Sequence, residues 1–171
     1  MEAMQAILSR RSVRKYTEDP VSEEVINELL TAAMSAPSAG NQQPWHFVVI
    51  RDRELLDQVP VYHPFADLVK HAQVAILVCG DTKLERFEGF WVQDCAAATE
   101  NLLLAARAIG LGAVWLGLYP YEERYKGLQR VCGLPDNVIP LALVPLGYPT
   151  EPQETVERFN PRRVHRNTWQ G

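Results

Sequence analysis

The stretch Ala36-Pro37-Ser38-Ala39-Gly40-Asn41-Gln42-Gln43-Pro44-Trp45-His46-Phe47 separates a helical pattern from a strand pattern. Before it, Val25, Ile26, Leu29, Leu30, Ala33 and Met34 form an apolar stripe at helical spacing, which places Met34 in the core. Asp19-Pro20-Val21 makes the turn into that helix, Ser22 can cap it, and Glu23 and Glu24 suit the positive end of its dipole. The helix must end near Pro37. Ser38–Pro44 has no apolar period and is rich in turn formers, so it reads as a loop leading into a strand at His46–Ile50. Gly40 allows a tight turn, and Ser38 and Asn41 offer donors and acceptors. Taken on composition, this is a capped helix end followed by an ordinary loop.

Upstream lies Arg10-Arg11-Ser12-Val13-Arg14-Lys15-Tyr16, four cations and a hydroxyl in seven residues. The chain as a whole is acidic, with Lys+Arg 17 against Asp+Glu 21 and a formal charge of −4. Met4, Ile7 and Leu8 precede the cations at helical spacing, so residues 2–9 read as a short helix. The cations leave its C-terminal end, where positive charge is tolerated best. Arginines and a hydroxyl there can grip a phosphate by charge-assisted bonds. The same run also fits a solvated basic helix end.

A length of 171 residues suits one domain, or one subunit of an intertwined pair, and 47% hydrophobic residues supply a core. No run of 18 apolar residues marks a transmembrane span, and the N-terminus lacks a secretory pattern. Cys79, Cys95 and Cys132 are widely spaced in apolar surroundings and read as buried reduced thiols, which fits the cytoplasm. The acidic balance gives no support for nucleic-acid binding. His46, His63 and His71 have no metal-like spacing, so no metal is expected.

Further along, Arg53–Val59 reads as a short helix and Tyr62-His63-Pro64-Phe65 as irregular. Val74–Cys79 is a continuous apolar run that suits a strand covered on both faces. After an exposed charged segment, Phe90–Ile109 forms the longest helix, apolar nearly all round, with Gly110 as its stop. Its alanines allow close packing, in a core or between subunits. Ala113–Leu118 is the next strand, Glu122–Cys132 a helix closed by Gly133, and Val138–Leu146 a further strand. Pro140 and Pro145 demand positions that need no ladder donor, so strand ends or an edge are expected. A tail with Arg158, Arg162, Arg163, His165 and Arg166 forms a second basic cluster. The alternation of helices and strands argues for an α/β or α+β sandwich.

Together these stretches resemble the nitroreductase family of flavin mononucleotide (FMN) oxidoreductases. That family opens with R-x-S-x-R/K, matched at Arg10, Ser12 and Arg14. It continues with P-S-x-x-N-x-Q-P-W-x-F, matched at Pro37, Ser38, Asn41, Gln43, Pro44, Trp45 and Phe47. Gly110-Leu111-Gly112 and the tail extend the resemblance over essentially the whole chain. It implies an α+β fold: a three-layer α/β/α sandwich with a mixed, mainly antiparallel central sheet, in an intertwined homodimer. By the same resemblance residues 1–171 would form one FMN-binding domain, whose tail from about residue 150 would supply a strand and reach over the partner.

The resemblance also implies roles. Arg10, Arg11 and Ser12 would meet the FMN phosphate, completed by a tail arginine, Arg158 first and Arg163 as the alternative. Arg14 would face N1 and O2 of the ring, where a fixed cation stabilises the charge gained on reduction. The Gly117 backbone N–H would reach N5, in a segment Trp115-Leu116-Gly117 set against the ring. Pro37, Ser38, Ala39 and Asn41 would contact the flavin, typically from the partner subunit. No side chain is catalytic, since the cofactor carries the chemistry. NAD(P)H would serve as transient donor and a small organic molecule such as a nitroaromatic or quinone as acceptor, in ping-pong order. The chain is shorter than larger members, which add helices over the ring, and Phe87, Phe90 and Trp91 read equally as a small lid or as core. Flavin fragmentation, reductive dehalogenation and non-enzymatic flavin binding are the alternatives.

Overall fold

The computed structural model describes residues 1–153 and 155–169. Five helices and five strands follow one another: α1 (Ala3–Ser9), α2 (Glu23–Met34), β1 (Trp45–Ile50), α3 (Arg53–Tyr62), β2 (Val74–Asp81), α4 (Trp91–Ala108), β3 (Gly112–Ala113), β4 (Leu116–Gly117), α5 (Glu122–Val131) and β5 (Val138–Gly147). The strands form one sheet in the order β1-β2-β5-β3, with β4 following β3 along the same edge of β5. All pairings between these strands are antiparallel, and among the described residues the parallel pairing is a bridge from Ser12 to Ala113.

The period of two along β2 and β5 divides the core. Val74, Ile76 and Val78 with Ala142, Val144 and Leu146 face Ile26, Leu29 and Ala33 of α2 and Cys95, Ala98 and Leu102 of α4. Ala75, Leu77, Cys79 and Leu143 face Leu56 and Val59 of α3 and Leu128 of α5. The result is the expected three-layer sandwich, with β2 buried on both faces.

The helix ends follow the sequence. The Ser22 hydroxyl accepts from Val25 N–H at 3.3 Å to cap α2, and Gly110 and Gly133 take positive φ beyond α4 and α5. Met34 departs from expectation: it lies at the last turn of α2 and is 51% exposed. The single strand expected at Ala113–Leu118 is two short pairings, β3 and β4, interrupted at Val114 and Trp115. That interruption corrects the proline expectation too. Pro145 and Pro140 sit inside β5, the central strand, rather than at an end or an edge. The register puts Pro145 opposite the break between β3 and β4, and Pro140 beside the bulge at Val78/Cys79. Both are places where a ladder donor is dispensable. The strand expected from the tail is absent among the described residues. They hold the bridge from Tyr16 to Pro149 and one helical turn at Pro161–Arg163.

Candidate functional site

The basic run is pinned to the end of the sheet. Val13 N–H donates to the Ala113 carbonyl at 2.9 Å, and the buried Tyr16 hydroxyl lies 2.7 Å from the Val13 carbonyl and 3.2 Å from that of Pro145. Burial raises the Tyr16 phenol, against the opposing influence of Arg14, so it stays protonated. Gly112 permits the close approach: a Cβ there would fall 2.6 Å from Val13 Cγ1.

Arg10, Arg11 and Arg158 line one cavity of about 430 Å³, with Ile7, Leu8, Val156, Glu157 and Phe159. Arg10 Nε is 3.4 Å from Glu100 Oε1 on α4. Arg11 donates through Nη1 to the Arg10 carbonyl at 2.6 Å and the Leu8 carbonyl at 3.3 Å, and through Nη2 to the Val156 carbonyl at 3.5 Å. Its Nε is buried and lacks a hydrogen-bond partner among the described residues. Desolvation, then the like charges of Arg158, Arg10 and Arg107, hold the Arg11 guanidinium below its usual pKa. Arg107 is a cation that the motif reading missed. It sits on α4, outside any motif, and is held by Nε donating to Ser9 Oγ at 2.9 Å. Three arginines around one cavity, with Arg107 close enough to act on Arg11 and an Arg11 N–H without a partner among the described residues, form a site suited to a multivalent oxyanion such as a phosphate. Ser12 and Arg14, next in the chain, line a second cavity of about 220 Å³ with Lys15, Thr150, Glu151 and Gln153. Arg163 lines neither cavity; it is exposed in the Pro161–Arg163 turn, which the Asn160 side chain caps.

Trp115, Leu116 and Gly117 follow along the sheet edge. Trp115 is half-buried against the α2–α4 layer, and Leu116 is buried in the α3–α5 layer. Leu118 N–H donates to the Leu141 carbonyl at 3.0 Å, and Leu116 pairs with Leu143, so Gly117–Ala142 is the intervening non-hydrogen-bonded pair. The Gly117 N–H and C=O therefore point away from the sheet. A Cβ at Gly117 would meet nothing within 4 Å. The Gly117 carbonyl is held by two side chains absent from the motif reading. His63 Nε2 lies at 3.1 Å and Arg124 Nη1 at 3.2 Å. His63 Nδ1 accepts from Phe65 N–H at 3.2 Å, so the ring proton sits on Nε2 and donates to Gly117. His63 is buried, and desolvation and Arg124 hold its pKa below the usual imidazole value, against the hydrogen bond to Gly117. Arg124 in turn stacks over the Tyr121 ring at 4.2 Å.

The loop after α2 is fixed by a buried carboxylate that motif reading also missed. Asp94, in the first turn of α4, accepts from Ala39 N–H at 2.9 Å and from Gln42 Nε2 at 2.6 Å. Gln42 Oε1 takes the Arg86 N–H at 2.8 Å, which ties the 84–90 segment to the loop. Ser38 Oγ accepts from Gln43 N–H at 3.0 Å. Gly40, Asn41 and Gln43 all have positive φ, and a Cβ at Gly40 would strike the Phe87 ring at 2.6 Å. The loop thus anchors at the start of α4. The arginine cluster anchors at Glu100 and Arg107, and Arg107 lies about 20 Å further along the axis at 1.5 Å per residue. Pro37, Ser38, Ala39 and Asn41 are not brought to Arg10, Arg11 and Arg158 within one chain. Trp91 is core, 4% exposed, whereas Phe87 and Phe90 are 50% and 42% exposed and meet edge to face over the loop.

The model of the nitroreductase family matches residues 7–71 and 63–148. A protein of Methanothermobacter thermautotrophicus, provisionally named NADH dehydrogenase/NAD(P)H nitroreductase, is 50% identical over 169 residues, spanning 99% of this chain and 88% of that one. A solved structure from Parabacteroides distasonis with the same provisional name is 42% identical, with a TM-score of 0.94 and 98% of each chain covered. A provisionally named nitroreductase from Desulfovibrio desulfuricans, solved in complex with FMN, is 33% identical, with a TM-score of 0.86 and 99% of each chain covered. On the extent of these matches and on the shared fold, the chain belongs to the nitroreductase family.

Proposed function

We propose that the chain is an NAD(P)H-dependent FMN oxidoreductase acting on a small organic acceptor such as a nitroaromatic or quinone. The observation that carries this reading is the arginine cluster with its orphaned Arg11 Nε, next along the sheet end from the open edge at Gly117. Arg10, Arg11 and Arg158, with Ser12 beside them, would hold the phosphate. Arg14 would stand at the N1/O2 side of the ring, and Gly117 would offer its free N–H to N5. The FMN complex of the Desulfovibrio relative and the names of the other two support this cofactor and donor. When bound, FMN supplies two-electron transfer from NAD(P)H to the acceptor.

This chain's residues bind, orient and exclude. The cations neutralise the phosphate, the Arg14 charge favours the reduced ring, and the bare Cα of Gly117 admits a planar group. The loop Pro37–Asn41 would complete the site from a second copy, because its own chain holds it away from the arginines. A groove of about 400 Å³ lined by Met1, Ala6, Ile7, Leu104, Ala105 and Ala108, beside exposed Met4, Leu8 and Met34, offers that copy an apolar face. The tail would then lie against both subunits. Phe87 and Phe90, packed on the loop, would border the partner's ring and bear on acceptor choice.

Titration of flavin-free protein with FMN, followed by NADH or NADPH without oxygen, tests the reading: FMN binds and its visible bands bleach. Arg158→Ala should weaken FMN by about 10- to 100-fold, the worth of a lost charge-assisted contact, and Arg163→Ala should leave it nearly unchanged. Equal losses would remove the assignment of Arg158, and protein that takes up no FMN would remove the flavin reading.

A further inference from the structure

We infer that a basic cavity beyond Arg14 holds the pyrophosphate of the dinucleotide donor, the group that NADH and NADPH share, an inference that rests on the FMN reading above. The cavity measures about 610 Å³, within the size range of small-molecule sites. Its walls come from the segment Arg14–Glu18, from Arg53 at the start of α3 and from residues 70–73 ahead of β2. Four permanent cations, Arg14, Lys15, Arg53 and Lys70, line it with His71, against one acid, Glu18. The chain as a whole carries a charge of −4 and repels an anionic donor at long range, so a local basic surface is needed for its phosphates to settle.

The cations are held in place before any ligand arrives. Arg53 donates through Nε to Asp57 at 3.0 Å, through Nη1 to the Ala72 carbonyl at 3.1 Å and through Nη2 to the Val69 carbonyl at 2.9 Å. These bonds use three of its five N–H donors and leave one on each Nη. Lys70 Nζ lies 2.7 Å from Asp67 Oδ1, and Lys15 Nζ lies 3.2 Å from Glu151 Oε1. Asp57, Asp67 and Glu151 are absent from the lining, so the ion pairs orient the cations while the wall stays basic. The half-buried Gln73 adds a side-chain amide that has no hydrogen-bond partner among the described residues. The facing segment is fixed too, by Thr17 N–H donating to the Tyr148 carbonyl at 2.8 Å. Arg14 lines this cavity and is also the cation assigned to the N1/O2 side of the ring, so a ligand seated here reaches the ring's edge. Nitroaromatic and quinone acceptors carry no phosphate, and the FMN phosphate has the cavity of Arg10, Arg11 and Arg158. The donor's pyrophosphate is the multivalent anion left without a site, and the chain has no G-x-G-x-x-G turn to bind it.

The test uses the FMN-loaded protein and two donors: NADH, and 1-benzyl-1,4-dihydronicotinamide, which has the same reacting ring and no phosphate. The readout is the ratio of kcat/KM for NADH to kcat/KM for the benzyl compound, with the FMN dissociation constant measured beside it. In Lys70→Ala the ratio should fall about 5-fold, the scale of one exposed charge contact, through a higher KM for NADH. In the double variant Lys70→Glu/His71→Glu it should fall on the order of 10-fold or more, because repulsion replaces attraction. Lys70→Arg, which keeps the charge, should retain most of the wild-type ratio. NADPH in place of NADH should give the same pattern, and added salt should lower the wild-type ratio. FMN affinity should hold throughout. An unchanged ratio in the double variant, with FMN bound, overturns the donor site and leaves the flavin reading standing. A loss of FMN affinity with both donors slowed alike also overturns it, by placing the flavin phosphate in this cavity. Failure of wild type to take up FMN overturns both readings.

Discussion

At Gly117 a single hydrogen atom separates folding from binding. Its φ lies outside the left-handed region, and the space where a Cβ would stand is open, so the fold does not require glycine there. Gly117→Ala should therefore leave thermal stability unchanged or raise it slightly, by about 0.4–1 kcal/mol through the unfolded chain. The same methyl would occupy the surface offered to the ring, so FMN affinity should fall at least about 10-fold. Calorimetry beside FMN titration separates the two, and an alanine variant that binds FMN normally would remove Gly117 from the site. His63 carries a pH signature. Its folded pKa lies below the unfolded value of about 6.5, because burial and Arg124 disfavour the imidazolium. The unfolded chain thus binds the extra proton first as pH falls. The contribution is complete above the unfolded pKa and is lost as pH drops through about 6.5 toward the lower folded value. Urea midpoints between pH 7.5 and 5.5 should fall more steeply for wild type than for His63→Gln, and parallel curves would rule the linkage out.

At the scale of elements, the loop after α2 depends on α4. Asp94 satisfies Ala39 N–H and Gln42, and Gln42 in turn holds the 84–90 segment, so one carboxylate shapes both. Asp94→Ala should destabilise the protein by roughly 2–4 kcal/mol, since a buried and a half-buried donor lose their carboxylate acceptor. It should also weaken FMN binding through the loop, although the loop is distant from the arginines of its own chain. Denaturation with FMN titration checks this, and a variant of wild-type stability would show that water replaces the carboxylate without cost. Helix α2 with its cap, the continuous apolar run of β2 and the all-round apolar α4 were legible in the sequence, because each is a local pattern with a length and a stop signal. Asp94 was not legible: an acid in the first turn of a helix normally reads as dipole chemistry. The prolines of β5 were misplaced for a related reason. Where a central strand tolerates a missing donor is decided by the neighbouring strand, here by the break between β3 and β4.

For the whole molecule, the two parts of the proposed site lie at different places along α4, and exposed Met4, Ile7 and Leu8 stand beside an apolar groove. A homodimer would unite the parts, so binding and assembly should fail together. Met4→Glu, on the exposed face of α1 and outside the arginine cavity, should convert a dimer to a monomer in sedimentation and lose FMN in the same step, while the fold survives. A monomeric variant that keeps its FMN would place the complete site within one chain. The sequence by itself determined the family, a sandwich of helices on a sheet, where the helices start and the basic run, because short motifs and hydrophobic periods are local properties of the chain; the third helix runs on to Tyr62, past the Val59 end its pattern suggested. Only the tertiary structure decided that Arg158 rather than Arg163 faces Arg11, that Arg107 joins them, that Asp94 holds the loop and that His63 and Arg124 grip Gly117. Those contacts join residues far apart in the chain, and which side chains meet is fixed by how α3, α4 and α5 pack against the sheet rather than by any pattern along it.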